Sequence, residues 1–155
     1  MNLSAVFKNY PLISAFFAWL LAQLLKMPLD YLHKKHWDWM IFFTPGGMPS
    51  SHSATMTAVT LSMGLFYGFE SPLFALGLAM TTIVVYDAAN VRRQAGIQAQ
   101  KINVLVKELL SGHPISEKDL REVLGHTPLE VIGGILLGIA IAIAVWLIWG
   151  KTGRV

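Results

Sequence analysis

Four stretches without a charged residue, 9–25, 53–69, 71–86 and 131–150, dominate this chain; they are 17, 17, 16 and 20 residues long and hold 70 of its 155 residues. At about 1.5 Å of rise per helical residue, a 17-residue stretch reaches roughly 26 Å, near the short end of what a hydrocarbon core about 30 Å thick accepts. A chain that is 54% apolar and only 14% charged lacks the polar surface of a soluble domain. The expected architecture is all-α: an integral membrane helical bundle forming one domain over 1–155. About four transmembrane helices are expected, near 9–27, 52–69, 71–89 and 128–150, with an amphipathic loop region over 92–125.

The absence of cysteine excludes disulfide scaffolds, cysteine zinc sites, iron–sulfur clusters and thiol catalysis. The net charge of +3 does not point to nucleic acid, because no basic run exceeds a pair. Membrane topology accounts for the cations better. With four spans, Lys8, Lys151 and Arg154 share one side, and Lys26, Lys34, Lys35, Arg92, Arg93, Lys101, Lys107, Lys118 and Arg121 share the other. Nine against three makes the first and third loops cytoplasmic by the positive-inside rule. The first stretch is expected to be a retained helix and not a cleaved signal, since Trp19 and Leu20 spoil a small-residue cleavage site and Lys26 follows.

Pro28 is expected to end or kink the opening helix, and Trp37, Trp39, Phe42 and Phe43 form an aromatic cluster suited to the bilayer interface. Over 97–110, Ile97, Ile102, Leu105, Val106, Leu109 and Leu110 recur at helical spacing with Lys107 and Glu108 off the stripe, which predicts an amphipathic helix. A shorter helix is expected to follow, capped by Ser116 and ended near Gly125. Ser53, Thr57, Thr60, Gly64 and Gly68 line one face of the second span, and Gly134, Gly138 and Ala142 one face of the last; both read as close-packing faces.

Chemistry concentrates at three places. Gly46-Gly47-Met48-Pro49-Ser50-Ser51-His52 puts a glycine turn, two hydroxyls and a histidine where an uncharged helix begins, and free N–H groups there favour an anion. The same residues also suit an ordinary start, with Ser50 or Ser51 as cap and His52 interfacial. At the second place, Thr127, Pro128 and Glu130 form a good capping box, yet His126 and Glu130 are four apart, so the carboxylate can also orient the imidazole of a nucleophile. Thirdly, Asp87 and the Arg92-Arg93 pair sit where the third span leaves the membrane, as an ion pair or as a phosphate fork. Four spans put all three on one membrane face.

Pro49-Ser50-Ser51-His52, Tyr86-Asp87-Ala88 with Val91-Arg92-Arg93, and Gly125-His126-Thr127-Pro128-Leu129-Glu130-Val131 resemble, in order, motifs of the divergent branch of the type 2 phosphatidic acid phosphatase superfamily. That superfamily includes vanadium-dependent haloperoxidases and acid phosphatases. The resemblance runs from about Gln23 to Gly138 and implies a bacterial inner-membrane, multi-pass protein, whose site the charge asymmetry puts on the cytoplasmic side. It implies that His126 is the phosphohistidine-forming nucleophile, His52 the general acid and Glu130 the orienting carboxylate. Ser50, Ser51, Lys26, Arg92 and Arg93 are then the phosphate-binding candidates, and Asp87 is structural or in an ion pair. The chain departs from the superfamily pattern in four ways. Serine stands for glycine in P-S-G-H, and glutamate replaces the final aspartate. Arg121 lies five residues before His126 instead of six, and no K-x6-R-P precedes Pro49.

The leading expectation is metal-independent hydrolysis, without a cofactor, of a phosphoric monoester or lipid pyrophosphate. An isoprenyl or glycerolipid phosphate is the expected partner, a homodimer the assembly allowed, and no nucleic acid is involved. The main alternative is a non-catalytic anionic-lipid binding or transport protein that retains the phosphate site; a purely structural membrane subunit ranks below it.

Overall fold

The computed structural model describes residues 3–37, 39–42, 46–109 and 126–150. Among them there is no strand. After a 3-10 turn at Leu3–Lys8 come helices α1 (Tyr10–Lys34), α2 (Ser51–Tyr67), α3 (Pro72–Tyr86), α4 (Arg92–Leu109) and α5 (Pro128–Trp149). A second 3-10 turn, Trp39–Phe42, lies between α1 and α2, and a π turn, Asp87–Val91, joins α3 to α4. The sequence writes the starts: Asn9 accepts the Leu12 N–H at 3.1 Å, and Ser71 accepts the Leu73 N–H at 3.1 Å with Pro72 in the first helical position.

Helix α2 is the centre, packed by α1, α3 and α5, and α1 also meets α5. With no hydrophobic drive between helices in hydrocarbon, close approach of backbones and hydrogen bonds between helices hold them together. A Cβ at Gly134 would collide with the Ser50 carbonyl, and one at Gly138 would meet the Ala54 carbonyl. Ala18, Ala22, Ala54 and Ala58 are fully buried between α1 and α2, with Leu137 and Ile141 of α5 packed on them. Ser14 and Ser62 share a hydrogen bond of 2.9 Å across α1 and α2, and Thr60 and Thr81 one of 2.8 Å across α2 and α3. The rim is the reverse of a soluble protein: Leu73, Leu76 and Ile83 of α3 and Leu136 and Leu147 of α5 are exposed. Hydrocarbon is the solvent that suits such a surface.

Among the described residues, three helices are long and apolar enough to cross a membrane: Tyr10–Leu32, Pro72–Lys107 and Pro128–Trp149. Helix α2, with 17 residues, is shorter. Tyr10 stacks on Phe66 at 4.6 Å and lies 6.5 Å from Trp149, while Tyr31 stacks on Trp37 at 4.8 Å. Along α1 these aromatic groups are about 32 Å apart, close to a hydrocarbon thickness. From Phe66 back to Ser50, α2 covers about 24 Å, so its start lies about 8 Å inside the Tyr31 level.

Three local expectations change. Helix α1 does not end at Pro28 but runs on to Lys34, where Lys35 takes a left-handed φ of 56°; the Tyr31–Trp37 stack holds the extra turns. The chain does not leave the third span through a loop, since no Gly or Pro interrupts residues 78–95 and the helix continues through the π turn into α4. The amphipathic helix therefore starts at Arg92 instead of Ile97, with Ile102, Leu105, Val106 and Leu109 exposed. The helix expected after Ser116, with Lys118 and Arg121, lies outside the described residues, as does Phe43.

Candidate functional site

The site is built where α2 and α5 begin beside the last third of α1. Gly46 and Gly47, at φ 98° and 78°, turn the chain through a region open to glycine. The turn sets Gly47 against the Lys26 side chain: a Cβ there would be 3.9 Å from Lys26 Cγ and Cδ. Beyond the cis Met48-Pro49 bond, Ser50 caps α2, its Oγ accepting from the Ser53 N–H at 3.4 Å and the Ser53 hydroxyl at 3.1 Å. Ser50 is also the clamp between helix starts, because its N–H donates to the Glu130 carbonyl at 2.9 Å.

At the start of α5 both readings of residues 126–130 hold together. The capping box is complete: the Glu130 N–H donates to Thr127 Oγ1 at 3.4 Å, and the Thr127 N–H donates to Glu130 Oε2 at 3.2 Å. The same Oε2 lies 2.9 Å from His126 Nδ1. With Nδ1–H turned to the carboxylate, Nε2 keeps its lone pair. His126 is 5% exposed and Lys26 2% exposed, and Lys26 lies within electrostatic reach of Glu130. A cation this buried needs such a partner.

Lys26, Ser50, His126 and Glu130 are thus brought together, with Ser51, also buried, in the first turn of α2. His52 approaches from another side. Met56, Thr60 and Met63 form the stripe of α2 that meets α3, since the Met56 carbonyl takes the Thr81 hydroxyl and Thr60 and Met63 abut Gly77. His52, one turn before Met56, continues that stripe and is exposed. Asp87 opens the π turn, which touches α5, and Arg92 and Arg93 follow it directly; the two arginine side chains lie outside the described residues. No group of three or more histidines, aspartates or glutamates able to hold a metal occurs among the described residues.

One participant carries no motif. Gln23, one turn before Lys26, is 8% exposed and donates from Nε2 to the Phe42 carbonyl at 2.8 Å. The turn Trp39–Phe42 runs back along α1, with Phe42 edge-on to Trp19 at 6.1 Å. Irregular backbone at that depth must find its donors inside the protein. The signal for Gln23 in the sequence is an amide near the end of a mostly apolar uncharged run.

These features define an all-α membrane protein with a polar site at one end of the bundle, assembled from two helix N-termini, a buried lysine and a histidine–carboxylate pair. The chain belongs to the divergent PAP2 family, whose model matches residues 7–141. It is 38% identical over 146 residues to the uncharacterized membrane protein YuiD of Bacillus subtilis (strain 168), an alignment covering 87% of this chain and 92% of that one. No solved structure matches it significantly.

Proposed function

We propose that this protein is a membrane-embedded phosphatase acting on a lipid phosphate or pyrophosphate through a phosphohistidine intermediate. The observation that carries the reading is the 2.9 Å contact of His126 Nδ1 with Glu130, in a residue whose carbonyl also receives the N–H of the α2 cap. His126 Nε2 attacks phosphorus; the N–P bond forms as the P–O ester bond breaks, and His52 gives the leaving alkoxide its proton. Glu130 stabilises the imidazolium that develops. Water then cleaves the N–P bond and releases phosphate. Lys26, Ser50, Ser51 and the N–H groups of two helix starts offset charge on the transferred phosphoryl group, with Arg92 and Arg93 as further candidates from the third face. The site then faces the cytoplasm of a bacterial inner membrane.

The near-complete burial of His126 favours one second reading, a protein that binds anionic lipid without turnover. Phosphate release from a panel of lipid monoesters and pyrophosphates, with and without chelator, separates the two. The wild type is expected to release phosphate in both conditions, His126→Ala to release none, and His52→Ala to recover with an aryl phosphate whose leaving group needs no proton. Binding without release across the panel selects the second reading, and wild-type turnover in His126→Ala overturns the phosphohistidine.

A further inference from the structure

Gln23 holds two polar atoms in a place where each needs a partner. Its amide orientation is fixed by chemistry, since only Nε2 can donate to the Phe42 carbonyl 2.8 Å away. Oε1 is consequently the other atom; it is buried and accepts no hydrogen bond among the described residues. A buried amide oxygen left unsatisfied is destabilising, which is reason to look for a donor. The nearest functional neighbour is Lys26, three residues on along the same face of α1 and therefore about 5–6 Å away at Cβ. The glycine turn touches Lys26 and leads into α2, whose cap is bonded to the Glu130 end of α5. The pair thus offers a cation and a neutral acceptor as near neighbours on α1, the cation of which lies against the turn into α2.

A ligand that answers both must carry anionic oxygens and an O–H on the same group. A phosphate monoester monoanion does so, because its phosphorus bears two charged-type oxygens and one P–OH. A phosphodiester of the same charge has the oxygens and no O–H. Burial at the site also disfavours the dianion, since desolvation penalises the more highly charged form.

We propose that Gln23 is a specificity-determining residue of this site, accepting a hydrogen bond from the P–OH of a lipid phosphate monoester and so selecting monoesters over diesters. The inference rests on the phosphate-site reading above, though not on turnover. Lys26 and the helix starts hold the charged oxygens, which both lipid classes share, and Gln23 reads the proton that only one has.

Native mass spectrometry of the full chain in detergent tests this, with phosphatidic acid as the monoester and phosphatidylmethanol as the diester, at pH 5.5 where both carry about one charge. The wild type is expected to bind phosphatidic acid about tenfold tighter, and Gln23→Met to lose that tenfold for phosphatidic acid while binding phosphatidylmethanol unchanged. Equal weakening toward both lipids, the mark of a residue that only anchors the Trp39–Phe42 turn, overturns the proposal, and so does no change toward either. If Gln23→Met does not fold, the wild type decides: the preference must shrink as pH rises to 8 and the P–OH ionises, and a ratio independent of pH overturns it. The same spectra report the dephosphorylated lipid, so a protein that discriminates but never releases phosphate sinks the catalytic reading alone.

Discussion

A single carboxylate oxygen of Glu130 lies 2.9 Å from His126 Nδ1 and 3.2 Å from the Thr127 nitrogen, so capping and charge can be separated by choice of substitution. Glutamine presents one carbonyl oxygen in the same position, able to accept from both donors. Glu130→Gln is therefore expected to keep the cap, to lower the thermal unfolding midpoint only by the loss of its charge near Lys26, and to lower turnover by about two orders of magnitude or more, since the charge that steadies the imidazolium is gone. Glu130→Ala removes the cap as well and is expected to cost about 1 kcal/mol of stability besides. Unchanged turnover in Glu130→Gln would reduce the residue to its capping role. Lys26 completes the argument, because it is buried in the bundle within electrostatic reach of this carboxylate. In a double-mutant cycle by thermal unfolding, Lys26→Met and Glu130→Gln together are expected to cost less than the sum of each alone, by on the order of 1 kcal/mol. Strict additivity would mean that the two charges do not meet. His126 and Glu130 were legible as four-apart residues at a capping box; that one oxygen serves both purposes was not, because spacing cannot say which atom a donor chooses.

Among the elements, the α2–α5 contact decides whether the two helix starts stay in register. Gly134 leaves no room for a Cβ beside the Ser50 carbonyl, and Ser53 stands at 3.0 Å from the same position. Backbone cannot yield as a flexible side chain does, so Gly134→Ala is expected to separate the helices at the site. The predicted result is a lower unfolding midpoint and weaker oxyanion binding, with Gly133→Ala much milder because it meets Met48 Cε, the end of a flexible side chain, at 3.2 Å. Equal effects of the two substitutions would remove the register argument. The small-residue face of α5 was readable from the sequence because close packing in hydrocarbon needs small residues at helical spacing; the single face expected of α2 is divided, Ser53 and Thr57 lying against α5 and Thr60 and Gly64 against α3, with Gly68 capping the helix. The continuation of α3 into α4 was hidden by a change of environment: apolar residues give way to Asn90, Arg92 and Arg93, which reads as leaving the membrane but not as leaving the helix. The run past Pro28 was hidden for a related reason, since the contact that sustains it comes from Trp37, beyond the helix itself.

At the scale of the whole molecule, an all-α bundle could be read from the uncharged runs alone, whereas the depth of the site could not. Depth follows from which residues of α1 stand beside which of α2, and only tertiary contacts give that. Topology remains a prediction of charge. Single cysteines at Lys34 and Lys118 are expected to react with a membrane-impermeant reagent from the cytoplasm and one at Thr152 from outside, with no native cysteine to interfere. Labelling of all three from one side would show an odd number of crossings and separate the site's parts.

The start of α2, about 8 Å inside a slab of about 30 Å, also has an electrical meaning. With the site on the cytoplasmic side, as proposed above, an anion reaching Ser50 would cross roughly a quarter of the membrane field. At 100 mV, negative inside, that is worth about 0.6 kcal/mol for a single charge, in the favourable direction. Occupancy of the site by a lipid anion is then coupled to the energised state of the cell, and a potential imposed across proteoliposomes should raise apparent affinity about two- to threefold; a response of zero would bring the site to the surface.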